Sequence, residues 1–493
     1  MKKIITLAIA AGMFVAAAAP ASAVDVKLDG TYTFMTTQRG WNNGTGVDDN
    51  GDALYSKDDR TWQRVDLGVT ATVSENLSGY FQVRTDWQWG TNAWNGSSLR
   101  GDGFKDAFNN GDLGGSAKDD SSSLKVQLRQ AYVDWIIPNT TVKVRMGRQP
   151  IRLPGLANGK NPAIWSKAPA DGVVVSSPVT DWLSLTGFWA RYARIDADGY
   201  TTYARDNGGF DVDNTRLSKE IDAFGIVADM KFDGFRFEPF VAYAHFGDAG
   251  QAGGNTNFAN KFNNNFSPAG RSSAFWAGFA ATLNMFDPFV AKLGFVYGDR
   301  NYTDKTPSQH GWLVDGKLSY KLDFMTPELL FWYGSGDSYQ KGAYASHGYL
   351  PGIGGRFAST FGWGNGSHLE EPELYNNHSG AGTWGIRLGV SNVSFLEDLT
   401  HELYFAYISG TNDSACAEHY AKGNNPWRYM TRRDAVFEID FGTKYNIYKN
   451  LTAALEVAYV FESFKKNNNG TFWQRANDYD NAWKACLQLQ YKF

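Results

Sequence analysis

The chain has 493 residues, with 47 Lys and Arg against 51 Asp and Glu and a formal net charge of −4. That balance, with no basic cluster, excludes a nucleic-acid-binding footprint, and two cysteines exclude a disulfide framework. Aromatic residues make up 15% of the chain and Gly occurs 53 times, yet the mean hydropathy is −0.40, so the chain is polar on average while rich in rings.

Met1-Lys2-Lys3 is a positive start, residues 4–20 form an Ala-rich apolar run, and Ala21-Ser22-Ala23 is a small-residue cleavage site. This pattern predicts a secretory signal peptide over 1–23 and a mature chain from Val24. Loss of Lys2 and Lys3 takes the net charge from −4 to −6. No later apolar run reaches the roughly 18 residues of a membrane-spanning helix. Residues 24–493 read as one domain.

Segments of period 2 follow from end to end. Val24, Val26, Leu28, Tyr32 and Phe34 alternate with Asp25, Lys27, Asp29, Thr31 and Thr33. Val65, Leu67, Val69, Ala71 and Val73 alternate with Arg64, Asp66, Thr70 and Thr72; Phe81, Val83 and Trp87 alternate with Gln82, Arg84 and Asp86. Trp312, Val314, Leu318, Tyr320 and Leu322 face off against Asp315, Lys317, Ser319 and Lys321, and Phe437, Ile439, Phe441 and Tyr445 against Glu438, Asp440, Lys444 and Asn446. Such alternation puts one set of side chains on each face of a sheet. An exported chain whose strands are oily on one face and polar on the other matches a membrane β-barrel.

The connections alternate as well. Short ones fall at 74–76, 138–139, 179–181, 233–234, 286–288, 325–326, 393–399 and 448–450, and carry the Gly, Pro, Asn and Asp that tight turns need. Long ones span 37–59, 90–123, 149–170, 196–218, 247–270, 300–309, 334–382, 410–432 and 463–481. Eight short and nine long connections make 18 strands; miscounting a weak segment such as 172–179 would make 16. The prediction is an all-β, transmembrane, antiparallel up-and-down barrel. A soluble sandwich array would need linkers, and no Pro/Ser-rich linker occurs. Two segments break parity. Leu124, Val126 and Leu128 are even while Ala131, Val133 and Trp135 are odd, which a bulge near Arg129 reconciles, as does a wall buried against a neighbouring subunit. Glu238-Pro239 interrupts another strand.

The stretch Gly147-Arg148-Gln149-Pro150-Ile151-Arg152, running on through Lys160, Trp165, Lys167 and Asp171-Gly172, follows the fifth strand. Here the chain resembles the Gram-negative trimeric porins, in which a Gly-Arg ends the fifth strand and the third long loop folds into the barrel. Leu128-Arg129-Gln130-Ala131-Tyr132-Val133-Asp134-Trp135 is similar to the family's fourth strand, and the terminal Phe493 to its assembly signal. The likeness is nearest to the homotrimeric porins of Desulfovibrio-type sulfate-reducing bacteria. It implies an outer-membrane homotrimer, set among lipid and lipopolysaccharide and inserted by the barrel-assembly machinery. It also implies passive diffusion of small hydrophilic solutes with no cofactor. The family has 16 strands, or 18 in its sugar-specific branch, so a saccharide channel is the alternative.

A barrel this wide holds water, and wall and loop charges set ion preference. Parity sends Arg64, Arg84, Lys143 and Arg145 into the lumen, with Arg129 among them; the resemblance adds Arg148 and, on the third loop, Arg152, Lys160, Lys167 and Asp171. Either these cations make a basic throat that favours anions such as sulfate and small organic acids, or they pair with Asp66, Asp86 and Asp134. Asp48, Asn50, Asp52 and Asp59 sit at calcium-loop positions 1, 3, 5 and 12, although Ala53 stands where that loop needs Gly; a solvated loop is the other reading. His368, Glu370, Glu371, Glu373 and His378 offer a second divalent cluster or another solvated loop. Trp135, Trp182, Phe289 and Tyr445 near short turns, and Trp62, Trp87, Trp312, Trp384 and Trp483 near long loops, suggest two aromatic girdles, with Trp276 on the lumen side. The seven His pair with no nucleophile motif, which argues against an enzyme.

Overall fold

The computed structural model describes residues 24–47, 53–89, 125–155, 157, 164–165, 169–194, 202–204, 210–212, 220–246, 272–302, 308–340, 343–346, 348–353, 357–364, 366–369, 374, 380–415, 430–464 and 480–493. Its strands, in chain order, are β1 (Asp25–Val47), β2 (Ala53–Ser74), β3 (Leu77–Gln88), β4 (Lys125–Ile136), β5 (Lys143–Pro150), β6 (Pro169–Pro178) and β7 (Leu183–Arg194). A small hairpin, β8 (Thr202–Ala204) and β9 (Phe210–Val212), precedes β10 (Glu220–Phe232), β11 (Phe235–Phe246), β12 (Ser272–Leu283), β13 (Phe289–Tyr302), β14 (Gln309–Tyr320) and β15 (Thr326–Gly334). A second hairpin, β16 (Ser338–Gln340) and β17 (Ala343–Ser346), precedes β18 (Thr383–Leu396), β19 (Leu399–Gly410), β20 (Ala435–Tyr448), β21 (Leu451–Ser463) and β22 (Ala482–Lys492).

Leaving the two hairpins aside, 18 strands form one sheet in which each pairs antiparallel with its neighbours in the chain. The last strand, β22, pairs with β1 from Thr31↔Lys492 to Gly40↔Trp483 and closes the barrel. Closure leaves no edge, as a bilayer requires, because an unpaired backbone group in hydrocarbon costs several kcal/mol. The seam lies a few residues further along β1 than the 24–34 stretch that the alternation suggests. All eight short connections of the sequence reading join neighbouring strands. Positive φ falls on Asn139, Gly234 and Asp398 within them, residue types that tolerate the left-handed region. Segment 172–179 belongs to β6, so the count is 18 rather than 16.

The outward face is apolar. Leu28, Ile226, Leu388, Phe405 and Phe437 are more than half exposed, as expected of side chains that meet lipid. Between Gln82↔Gln130 and Val83↔Leu128 the register of β3 and β4 shifts, and Arg129 is the extra residue. This is the bulge that the parity change requires. Glu238-Pro239 makes no such break: β11 stays in register with β12 through Glu238↔Ala280 and Pro239↔Phe279.

The core of this protein lies inside the barrel, where loop side chains pack on the inward residues of the wall. Ile151, Leu153, Ile164 and Trp165 from the third long loop, and Leu350, Ile353, Phe357 and Trp363 from the seventh, join Phe188, Tyr192, Trp276 and Trp332 in one buried cluster.

Candidate functional site: the lined interior of the barrel

One arc of the wall carries paired charges. Arg64 and Asp86 stand opposite each other on β2 and β3, as do Asp66 and Arg84, and Asp134 and Arg145 on β4 and β5. Arg84 holds Asp66 side-on, Nε to Oδ1 at 2.6 Å and Nη2 to Oδ2 at 2.9 Å. Arg145 grips Asp134 in the same way at 2.6 and 2.7 Å, and Lys143 Nζ is 2.9 Å from the same carboxylate. Arg64 Nη2 donates to Asp86 at 3.1 Å. The Arg145 guanidinium also lies 4.0 Å from the Tyr132 ring centroid. Pairing with Asp66, Asp86 and Asp134 is therefore present. Among these seven side chains four cations (Arg64, Arg84, Lys143, Arg145) stand against three carboxylates.

The other sequence-selected residues separate. Arg129 is the bulge residue. Arg148 pairs in register with Asp171, and Asp171 with Arg191. These residues share the face of Met146, Val175 and Trp189, which are 42%, 42% and 37% exposed, while Gln149, Ala170 and Ala190 on the other face are buried. Arg148 and Asp171, 3.4 Å apart, thus stand on the outward face at the outer strand ends rather than on the lumen wall. The reason is the period of 2: Val144 and Met146 point outward, so Arg148 does too. Arg152 is exposed between buried Ile151 and Leu153 and makes no ion pair with any described residue. Lys160 and Lys167 lie outside the described residues.

Two loops form a collar inside the wall. In the third loop, Trp165 meets Phe188, Tyr192 and Trp276 edge-on, with centroids 5.5, 5.6 and 6.2 Å apart. A bridge joins Trp165 to Ile353 of the seventh loop, and Trp276 Nε1 donates to the Pro351 carbonyl at 2.8 Å. The seventh loop then follows the wall. Phe357 packs on Trp332 of β15 at 5.5 Å, and Arg387 of β18 donates to the Ser359 carbonyl at 2.6 Å. Asp440 of β20 accepts from Phe361 N at 3.0 Å. Glu438 accepts from Gly362 N and, at 3.0 Å, from Trp363 N. Glu456 of β21 accepts from the Ser367 hydroxyl and, at 2.7 Å, from His368 N. Leu369 ends the run against Met35, Trp62 and Cys486 of β1, β2 and β22. Among the described residues the collar thus touches the wall from β7 to β15 and on to β2. Within the charged arc Arg64 and Asp66 are buried, whereas Lys143 and Arg145 stay 41% and 29% exposed.

The sequence reading expected only the third loop inside. It missed the seventh, together with Arg387, Glu438, Asp440 and Glu456. One signal was present: an outer loop holding Phe357, Phe361, Trp363, Leu369 and Leu374 is too apolar to be solvated.

The girdle residues Trp135, Trp182, Phe289, Trp312, Trp384 and Tyr445 are between 37% and 48% exposed on the outward face, and Trp182, Phe232, Phe235 and Phe237 stack in series at the short-turn end. Trp62 is a correction: it faces inward at 3% exposure, its ring 4.8 Å from the Arg64 guanidinium. Trp276 faces inward as its parity requires. Phe493 is 53% exposed and stacks on Tyr491 at 5.9 Å. Asp48, Asn50 and Asp52 of the candidate calcium loop lie outside the described residues, and Asp59 lies in β2 opposite Gln38. Of the second acidic cluster only His368 is described, its Nε2 3.3 Å from Glu402; Glu370, Glu371, Glu373 and His378, like Cys416, lie outside.

No protein-family model matches this chain, and no curated protein matches it in sequence. Solved structures match it in shape. A BenF-like porin from Pseudomonas fluorescens Pf-5 aligns with a TM-score of 0.53 and 11% identity over 95% of this chain and 99% of that one. OccK9 (OpdG) of Pseudomonas aeruginosa gives 0.53 and 13% over 95% and 98%. OpdK of Pseudomonas aeruginosa, solved with vanillate, gives 0.53 and 11% over 95% and 98%. At such identities the likeness is one of fold: the closed antiparallel barrel.

Proposed function

We propose that this chain is a Gram-negative outer-membrane porin, a water-filled channel for passive diffusion of small hydrophilic solutes, and not an enzyme. The observation that carries this reading is a closed, outwardly apolar barrel of 18 strands whose inward face carries paired charges, with Lys143 and Arg145 partly exposed. The fold likeness to porins supports it, as does the signal-peptide pattern for the location. The nearer relation to Desulfovibrio-type porins rests on the Gly147-Arg148 and Phe493 motifs.

The channel mildly prefers anions, among them sulfate and small organic acids. Three features support this: the four cations against three carboxylates among the paired side chains of β2–β5, exposed Arg152, and the way Arg145 is held. It grips its aspartate through Nε and Nη2 while its side chain stays 29% exposed. A guanidinium has five N–H donors, so its outer edge stays able to meet a solute carboxylate. That OpdK was solved with vanillate, an aromatic carboxylate, agrees with this class of solute. The saccharide alternative is less favoured, because Trp165, Trp276 and Trp363 are buried within the collar rather than displayed.

The chain works as a homotrimer among outer-leaflet lipid and lipopolysaccharide, inserted by the barrel-assembly machinery through Phe493. The outward residues of β2–β6, such as Val65, Leu67, Val69, Val83, Val133 and Val175, are mostly aliphatic, with Phe81 and Trp135 as aromatic exceptions, whereas aromatics crowd the outward face of β10–β15. That smooth sector suits a neighbouring subunit. The test is purified protein in a planar bilayer under a KCl gradient: steps of current with an anion-selective reversal potential are expected. Silence refutes the channel, and cation selectivity refutes the preference.

A further inference from the structure

We propose that Glu438, Asp440 and Glu456 are positioning residues that hold segment 357–369 against the barrel wall and so set the width of the channel; the width part rests on the channel reading above. The three side chains lie on neighbouring strands, face inward, and are 1%, 1% and 2% exposed. None forms an ion pair with a described residue. A carboxyl group buried without a partner is costly, and here backbone N–H groups and one hydroxyl donate to Glu438, Glu456 and one oxygen of Asp440. The need is mutual. Residues 357–364 and 366–369 have no regular secondary structure, so their amides must find acceptors elsewhere. Phe361, Gly362, Trp363 and His368 find them in the oxygens of these side chains. Gly362 makes the approach feasible: a β-carbon there would sit 2.9 Å from both Glu438 Oε1 and Val460 Cγ2.

Apolar packing alone is the rival account, since Phe361 and Trp363 are fully buried. It differs in what the carboxylates do. If they latch the segment, the variant Glu438→Ala/Asp440→Ala/Glu456→Ala keeps its barrel but frees the strap. Two readouts separate the accounts. Chymotrypsin added to the folded protein cuts the triple variant after Phe357, Phe361, Trp363 or Leu369 and leaves these four sites of the wild type uncut. Single-channel conductance rises roughly twofold, the scale expected if the strap vacates a comparable share of the cross-section, and liposome swelling admits larger sugars. A triple variant that migrates as a heat-modifiable barrel with unchanged conductance, size limit and protease resistance overturns the proposal.

Should the triple variant not assemble, Glu438→Gln decides. Its amide keeps one acceptor but turns an NH2 toward the second backbone N–H, so nicking and a smaller conductance rise are expected; wild-type behaviour in both overturns the latch. If the wild type itself carries no current, the channel reading falls, while the nicking comparison still decides the latch.

Discussion

Gly30 and Phe493 close the barrel together: the Gly30 N–H donates to the Phe493 carbonyl at 2.9 Å, and the Phe493 N–H donates to the Gly30 carbonyl at 3.1 Å. The ring of Phe493 lies over Gly30, where a β-carbon would collide with it. Phe493→Ala keeps these backbone bonds and leaves the lumen untouched, yet removes the exposed ring. Wild-type conductance in whatever protein inserts, with a lower outer-membrane yield, is the expected result. A full complement of outer-membrane barrels would contradict the assembly role. Gly30→Val should instead weaken the seam by about 1–3 kcal/mol through overpacking, visible as a lower temperature of heat modification.

Removing Trp165 should loosen the collar. It meets three aromatic rings and is fully buried, and such a truncation costs about 3–5 kcal/mol. The strands do not depend on it, so Trp165→Ala is expected to keep the barrel's circular dichroism and raise conductance noise and mean current. Unchanged traces would show that the third loop does not bound the pore.

Asp134 faces two cations, Arg145 and Lys143. Asp134→Asn removes one negative charge from the β2–β5 arc, so the reversal potential in a KCl gradient should move toward anion selectivity. Arg145→Gln works in the opposite direction. Both shifts should shrink at about 1 M salt, where the Debye length is roughly 3 Å.

Deleting Arg129 should be tolerated. The bulge already sets two residues of β4 against one step of β3, so the deletion restores continuous pairing and keeps Leu128 outward and Gln130 inward. Deleting Val133, which is in plain register with Gly79, reverses every side chain on one side of the gap. The contrast is read from folded barrel yields on unheated gels: near wild type for the first, close to none for the second.

Much of the wall was legible because its signal is local. Alternation tells the two faces apart, and turn residues mark where strands reverse, so the strand count, the bulge at Arg129 and the inward placement of Arg64, Arg84, Lys143 and Arg145 all follow from residues a few places apart. Where a motif or a position near a strand end stood in for parity, the face came out wrong. Arg148 and Asp171 were assigned to the lumen by likeness, and Trp62 to the girdle by its place near a loop, though a count by twos from Met146, from Val173 and from Val65 puts each on the opposite face.

The sequence alone thus determined a closed, two-faced wall and the identity of its inward charges, because a period of 2 is written in neighbouring residues. Only the tertiary structure decided what fills the wall. The bond from Gly362 to Glu438 spans 76 residues and that from His368 to Glu456 spans 88, and in each the donor is a backbone N–H. A backbone donor is the same in every residue but proline, so nothing in the loop's side chains announces which wall carboxylate it will meet.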